Sequence, residues 1–153
     1  MTRSAAHFQL SRTIGVSQHR LWSLLTDPKA RELWGGPSDD ATLVLDKADL
    51  REGGQERHRC GPKENPEFVV DTHWYHLAEP YLACFTETVS AGGTRFAVTL
   101  VTYALSASDS GTTLTVDVSL APLTDDEMLE DFKEGWTSGL DRLERLIEAD
   151  AFA

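Results

Sequence analysis

Thr112-Thr113-Leu114-Thr115-Val116-Asp117-Val118-Ser119-Leu120 alternates without a break, with Leu114, Val116, Val118 and Leu120 on one parity and Thr113, Thr115, Asp117 and Ser119 on the other. A period of two over this length reads as a strand with one buried face. A few residues later the period changes. Leu129, Phe132, Trp136, Leu140, Leu143 and Ile147 recur at helical intervals, which is the stripe of a long amphipathic helix. Thr124 is the expected N-cap, Glu127 stands at the capping-box spacing, and Asp125, Asp126 and Glu127 complement the helix dipole. A strand with one apolar face beside a helix with one apolar stripe decides the architecture, because each must cover the other.

The same reading extends toward the N-terminus. Phe8, Leu10, Arg12 and Ile14 share one parity and predict a first strand. Ser17 is placed to cap a helix carrying Leu21, Trp22, Leu24 and Leu25, with Val16 and Leu21 at the spacing of a hydrophobic staple. That helix stops at Thr26-Asp27-Pro28, since the residue before a proline avoids helical backbone. A short second helix runs from about Lys29 to Trp34 and closes at Gly35-Gly36-Pro37. Five more strands are predicted before the one quoted above: Thr42 to Asp46, Gly54 to Cys60, Phe68 to Leu77, Tyr81 to Val89 and Arg95 to Leu105. Tight turns such as Ser90-Ala91-Gly92-Gly93 join them as an antiparallel meander. The expected fold is α+β, a single domain in which a curved antiparallel sheet of about six or seven strands covers a long C-terminal helix, with two short helices after the first strand.

Composition narrows the function classes. The 153 residues are 41% hydrophobic and 25% charged, as in a soluble globular domain. Fourteen Lys and Arg against 25 Asp and Glu leave a net charge of −11, which disfavours nucleic acid and anionic membrane surfaces as partners. No apolar run approaches the roughly 20 residues that span a membrane. The first residues lack the apolar core of a signal peptide, so the cytoplasm is the expected location. Cys60 and Cys84 make no disulfide framework.

Four stretches, in this order and spacing, carry a family resemblance. They are Val16-Ser17-Gln18-His19-Arg20-Leu21-Trp22 running to Asp27-Pro28 and Trp34-Gly35-Gly36-Pro37; Asp49-Leu50-Arg51-Glu52-Gly53-Gly54; Gly111-Thr112-Thr113-Leu114; and Gly135-Trp136 with Leu140 and Leu143. The chain resembles the SRPBCC superfamily, also called START-like or helix-grip. Within it the likeness is to bacterial proteins related to the C-terminal domain of the activator of heat-shock-protein-ninety ATPase. The departure lies in Phe68 to Glu87, where His73-Trp74-Tyr75-His76 and Glu79-Pro80-Tyr81-Leu82 replace the usual residues. The resemblance implies a sheet gripping the C-terminal helix, often around a cavity for apolar molecules. It also leaves open a chaperone-cofactor-like interaction role and a polyketide cyclase or dehydratase-like activity.

The candidate site follows from this arrangement. Trp34, Tyr75, Tyr103, Phe132, Trp136 and Leu140 are the expected apolar lining, and Arg12, Arg51, His73, Tyr75 and Tyr103 the polar groups that would orient a ligand. Gly135 and Gly139, one turn apart, each cost the helix about 1 kcal/mol. They either shave a face to leave space for a ligand or let a neighbour approach closely. Arg12 either finds a buried carboxylate, with Glu87 and Asp117 the nearest candidates, or reaches the rim.

Catalytic and metal signals are weak. No Cys-x-x-Cys or His-Glu-x-x-His occurs. His73 and His76 lie on opposite faces of a regular strand, so only one of them can face inward as an acid–base group. His58 and Cys60 share a face, but two ligands do not make a metal site. No Gly-x-Ser-x-Gly elbow is present, and a lone cysteine needs a partner base. No cofactor, metal or catalytic residue is therefore assigned. A homodimer through a sheet edge is compatible with the pattern, though no residue demands it.

Overall fold

The computed structural model describes residues 5–124 and 128–152. Its elements are β1 (Ala6–Ile14), α1 (Gln18–Thr26), α2 (Pro28–Trp34), β2 (Ala41–Lys47), β3 (Gln55–Pro62), β4 (Phe68–Ala78), β5 (Leu82–Ala91), β6 (Thr94–Ser108), β7 (Gly111–Pro122) and α3 (Leu129–Glu148). The strands form one antiparallel sheet in the order β1-β7-β6-β5-β4-β3-β2. This is the helix-grip α+β architecture expected from the two periodicities.

The inward parity is continuous across the sheet. Leu114, Val116, Val118 and Leu120 of β7 are buried, as are Ala97, Val101, Tyr103 and Leu105 of β6 and Ala83 and Phe85 of β5. They form one cluster with Leu21, Trp22, Leu24 and Leu25 of α1 and with Leu140 and Leu143 of α3. Removing this apolar surface from water drives the sheet to curl around the helix. Gly111 is needed where β7 begins. Its φ is +145°, and a Cβ there would collide with the Ile14 carbonyl oxygen of the neighbouring strand.

The helix boundaries follow local chemistry. The Ser17 hydroxyl accepts from the Arg20 amide at 3.2 Å and caps α1. Asp27 ends α1 in extended backbone and caps α2, accepting from the Ala30 amide at 3.0 Å, with Pro28 next to it. A proline in the first turn forfeits no hydrogen bond, because that N–H is unpaired in any helix.

Two expectations are corrected. α3 begins at Leu129, with Met128 at its N-cap and no side-chain cap, so Thr124 does not cap it. Asp125, Asp126 and Glu127, invoked for the capping box and the dipole, lie outside the described residues. In β4 the ladder passes from Trp74 opposite Phe85 to His76 opposite Cys84, so Tyr75 is an extra residue in a bulge. The bulge breaks the alternation that placed one of His73 and His76 inward. Val70, Thr72 and Trp74 face the core instead, and neither histidine does.

Candidate functional site

Between α3 and the β3–β6 part of the sheet lies a cavity of about 310 Å³. Its helical walls come from Arg31 and Trp34 of α2 and from Phe132, Gly135, Trp136 and Gly139 of α3; the sheet side includes His58, Cys60, Trp74, Phe85, Glu87 and Tyr103.

Each wall is held by hydrogen bonds that do not enter the cavity. The Trp34 indole N–H donates to the Leu24 carbonyl at 2.8 Å, which fixes the ring. Arg142 of α3 donates to the carbonyls of Trp34 at 2.6 Å and Gly36 at 2.8 Å, and so holds α3 against the end of α2. Its Nε also binds Asp39 at 3.0 Å. Arg145 joins that carboxylate, and hydrogen bonding to both guanidinium groups lowers the pKa of Asp39. The loop from Asp49 to Gly54 braces β4: Gly53 N–H donates to the Trp74 carbonyl at 2.8 Å and Trp74 N–H to the Gly54 carbonyl at 3.0 Å. A Cβ on Gly54 would collide with the Asp49 carbonyl oxygen, so the tight turn requires glycine.

The rings form a connected wall. Trp74 and Phe85 lie 4.7 Å apart between centroids, Phe85 and Tyr103 5.2 Å apart edge to face, and Tyr103 and Trp136 6.0 Å apart edge to face. These are the tilted geometries that aromatic quadrupoles favour.

The two α3 glycines divide the work expected of them. A Cβ on Gly135 would meet only the Pro37 side chain, at 3.9 Å, so this position leaves open space. A Cβ on Gly139 would stand 3.4 Å from the Trp34 carbonyl oxygen, so here the small residue permits close approach.

A row of polar side chains crosses the sheet floor. The register sets Glu56 opposite Thr72, Thr72 opposite Glu87, and Glu87 opposite Thr99. Directly opposed residues on one face are neighbours. Glu56 is buried and paired with Arg31 at 2.6 Å, and its second oxygen accepts from the Asp49 amide at 2.9 Å. The Arg31 guanidinium also stands 5.7 Å from the Trp74 ring centroid. The hydroxyls of Thr72 and Thr99, on either side of Glu87, are buried without a hydrogen-bond partner among the described residues. Among the described residues Glu87 likewise has no hydrogen-bond or ion-pair partner, and it belongs to the cavity wall.

Burial governs the protonation of the site. It pushes Glu87 up to about 7, against the pull of Arg31. Glu87 keeps some accessible surface, but it opens into a cavity with mostly apolar walls rather than onto the outer surface, so ionisation still carries a desolvation penalty. Burial drives His58 down to about 3, helped by Arg31. It raises Cys60 to about 11, helped by Glu87, and raises Tyr103 with the same help. At neutral pH the imidazole, thiol and phenol are therefore uncharged.

Of the residues expected to bind, Trp34, Tyr103, Phe132 and Trp136 line the cavity. Leu140 is fully buried in the core beyond it. His73 and Tyr75 are stacked at 4.3 Å on the outer face of the sheet, away from the cavity. His76 is exposed and stands 3.2 Å from Glu52. Arg51 is exposed and bound to Asp49 within its own loop. Arg12 does turn toward α3, but its partners are Asp141 at 2.7 Å and Glu144 at 3.3 Å, not Glu87 or Asp117. Asp117 is bound by His7 and Gln9 on the opposite face.

Sequence reasoning missed Arg31, His58, Trp74, Phe85 and Glu87 as lining. For Glu87 a signal existed: Ala83, Phe85 and Val89 share its parity, and a carboxylate in an apolar series is conspicuous. Among the described residues, no three His, Cys, Asp or Glu side chains are grouped to hold a metal ion. None of the described helices is long and apolar enough to cross a membrane.

Solved structures share this fold. A protein from Rhizobium leguminosarum superposes with a TM-score of 0.80 at 23% identity, covering 97% of this chain and 99% of its own. One from Chromobacterium violaceum gives 0.83 at 19% identity, covering 93% and 96%. A protein in the dynemicin biosynthetic locus, DynU16, gives 0.71 at 22% identity, over 93% of this chain and 47% of its own. No curated protein matches the chain. The family model described as Activator of Hsp90 ATPase homolog 1-like protein matches residues 16–148, nearly the whole described fold, and the chain belongs to that family.

Proposed function

We propose that the protein binds a small apolar or aromatic molecule in the cavity between α3 and the sheet. The observation that carries this reading is the space itself. A cavity of about 310 Å³, walled by Trp34, Trp74, Phe85, Tyr103, Phe132 and Trp136, stands where a filled core would be more stable. Empty apolar volume costs dispersion contacts, and a volume near 300 Å³ with few polar groups is typical of small-molecule sites. A purely interaction-based role would favour a filled core instead.

Titration with the neutral fluorophore N-phenylnaphthylamine tests the reading. The expected result is enhanced emission on uptake by the wild type and a loss of uptake in Gly135→Leu, whose side chain would occupy the space above that glycine. Absence of uptake, together with no thermal shift across a panel of aromatic metabolites, would overturn it. A ligand at a hundred times its dissociation constant adds about 2.7 kcal/mol, which such a melt detects.

An acid–base enzyme is the second reading, favoured by one observation, a carboxyl in the cavity lining at Glu87, which burial pushes up to about 7. Its mark would be conversion of a bound ligand, followed by mass spectrometry.

A further inference from the structure

We infer that the ligand of this cavity carries a basic nitrogen, seated on Glu87 and enclosed by the aromatic wall. The inference rests on the binding reading above and names the chemical class that reading leaves open.

Charge balance around the cavity is the first argument. The charged and titratable groups facing it are Arg31 from α2, His58 and Cys60 from β3, Glu87 from β5, Tyr103 from β6 and Asp131 from α3. The Arg31 charge is already matched by Glu56 at 2.6 Å. His58, Cys60 and Tyr103 are uncharged at neutral pH. Glu87 and Asp131 remain, so above about pH 7, where Glu87 ionises, the cavity presents an uncompensated negative charge and no free positive one. An anionic ligand would meet that charge; a cationic one would neutralise it.

Geometry is the second argument. Glu87 lies in the middle of the polar row on the sheet floor, between two threonine hydroxyls that have no partner among the described residues. Beside this row, one step along the strands, Trp74 lies opposite Phe85, and the wall continues through Tyr103 to Trp136 with centroid distances of 4.7, 5.2 and 6.0 Å. A carboxylate that shares a cavity with aromatic rings favours an ammonium group, by ion pairing with the one and by attraction to the ring quadrupoles of the others. The apolar remainder of the cavity then takes the hydrocarbon body of the same molecule. A neutral ligand would leave the desolvated carboxyl uncompensated.

The test uses three compounds with one indole body and different tails: tryptamine, tryptophol and indoleacetate. Binding of each is measured by calorimetry at pH 5.5 and pH 8. The expected result is a preference for tryptamine over tryptophol of about tenfold or more at pH 8, shrinking at pH 5.5 where Glu87 holds a proton. In Glu87→Gln the preference should collapse, and in Glu87→Asp part of it should persist. A thermal melt of each variant shows that it is folded.

Tryptophol binding as tightly as tryptamine would overturn the inference while leaving the cavity a binding site. Tighter binding of indoleacetate would overturn it too, and would assign the anchor to Arg31. If none of the three binds but the wild type takes up N-phenylnaphthylamine, the amine class fails and the binding reading survives. If the fluorophore is not taken up either, both fail together.

Discussion

Glu87→Gln should make the protein more stable at alkaline pH and leave it unchanged in acid. The carboxyl has an ordinary value of 4.5 and is raised to about 7 in the folded state, chiefly by burial. Between those values the folded chain holds a proton that the unfolded chain has released. Wild-type stability therefore falls as pH rises through this window, and above it the full cost is present. Each pKa unit corresponds to about 1.36 kcal/mol, so the cost approaches roughly 3 kcal/mol. The glutamine amide and the protonated carboxyl are alike in burial cost, so this gain is kept whole and amounts to roughly 6–12 °C in melting temperature for a domain of this size. Below about pH 4.5 both side chains are neutral and the difference should vanish. The assay is a pair of thermal melts, wild type and variant, from pH 4 to pH 8.5, read as the difference in midpoint. Acid titration of other groups is common to both proteins and cancels. A difference independent of pH, or a variant less stable than wild type at pH 8, would refute the assignment of Glu87 as a carboxyl strained by burial.

Four further outcomes are expected. His58→Gln should flatten the acid limb of the stability curve, because a histidine lowered from 6.5 to about 3 costs the folded state increasingly as pH falls through that interval; melts between pH 7 and pH 3.5 measure this. Glu56→Gln should destabilise by about 3–5 kcal/mol, read from urea midpoints, since it leaves the buried Arg31 charge uncompensated. Gly135→Ala should stabilise by up to about 1 kcal/mol, because its methyl group would meet only Pro37, and chemical denaturation would show it. Arg12→Leu should cost under about 1 kcal/mol in the same assay and leave fluorophore uptake intact, because its partners Asp141 and Glu144 lie on a partly exposed seam outside the cavity.

The fold was legible because its signals are local and repeated. The alternation from Leu114 to Leu120 and the helical stripe from Leu129 to Ile147 survive any error in neighbouring segments. The site was legible on its helical side and, on the sheet, at Tyr103 of β6. Phe132 and Trp136 follow from the stripe, and Trp34 from the short helix that ends beside it. Elsewhere on the sheet the reading depended on parity in β4, where Val70, Thr72 and Trp74 take the inner face and leave His73 outside, and a bulge at Tyr75 then keeps His76 out as well. A bulge is set by cross-strand pairing with β5 and by the loop bonds that flank Trp74, and neither leaves a local pattern. Arg12 shows the complementary case. Its inward parity was correct, but its partner lay on α3, at a distance along the chain that alternation does not encode.

The clamp made by Arg142 has a mechanical consequence. One guanidinium joins the carbonyls of Trp34, the last residue of α2, and of Gly36 just beyond it, the Ser138 hydroxyl on its own helix and the Asp39 carboxylate. The two helices whose side chains frame the cavity are thus joined by directional polar bonds at one end, while the sheet beneath is a continuous ladder. The spacing of Trp34 and Trp136 is therefore set by a joint between helices, whereas that of Glu56, Thr72, Glu87 and Thr99 is set by strand pairing, so the two sides of the cavity answer to different bonds.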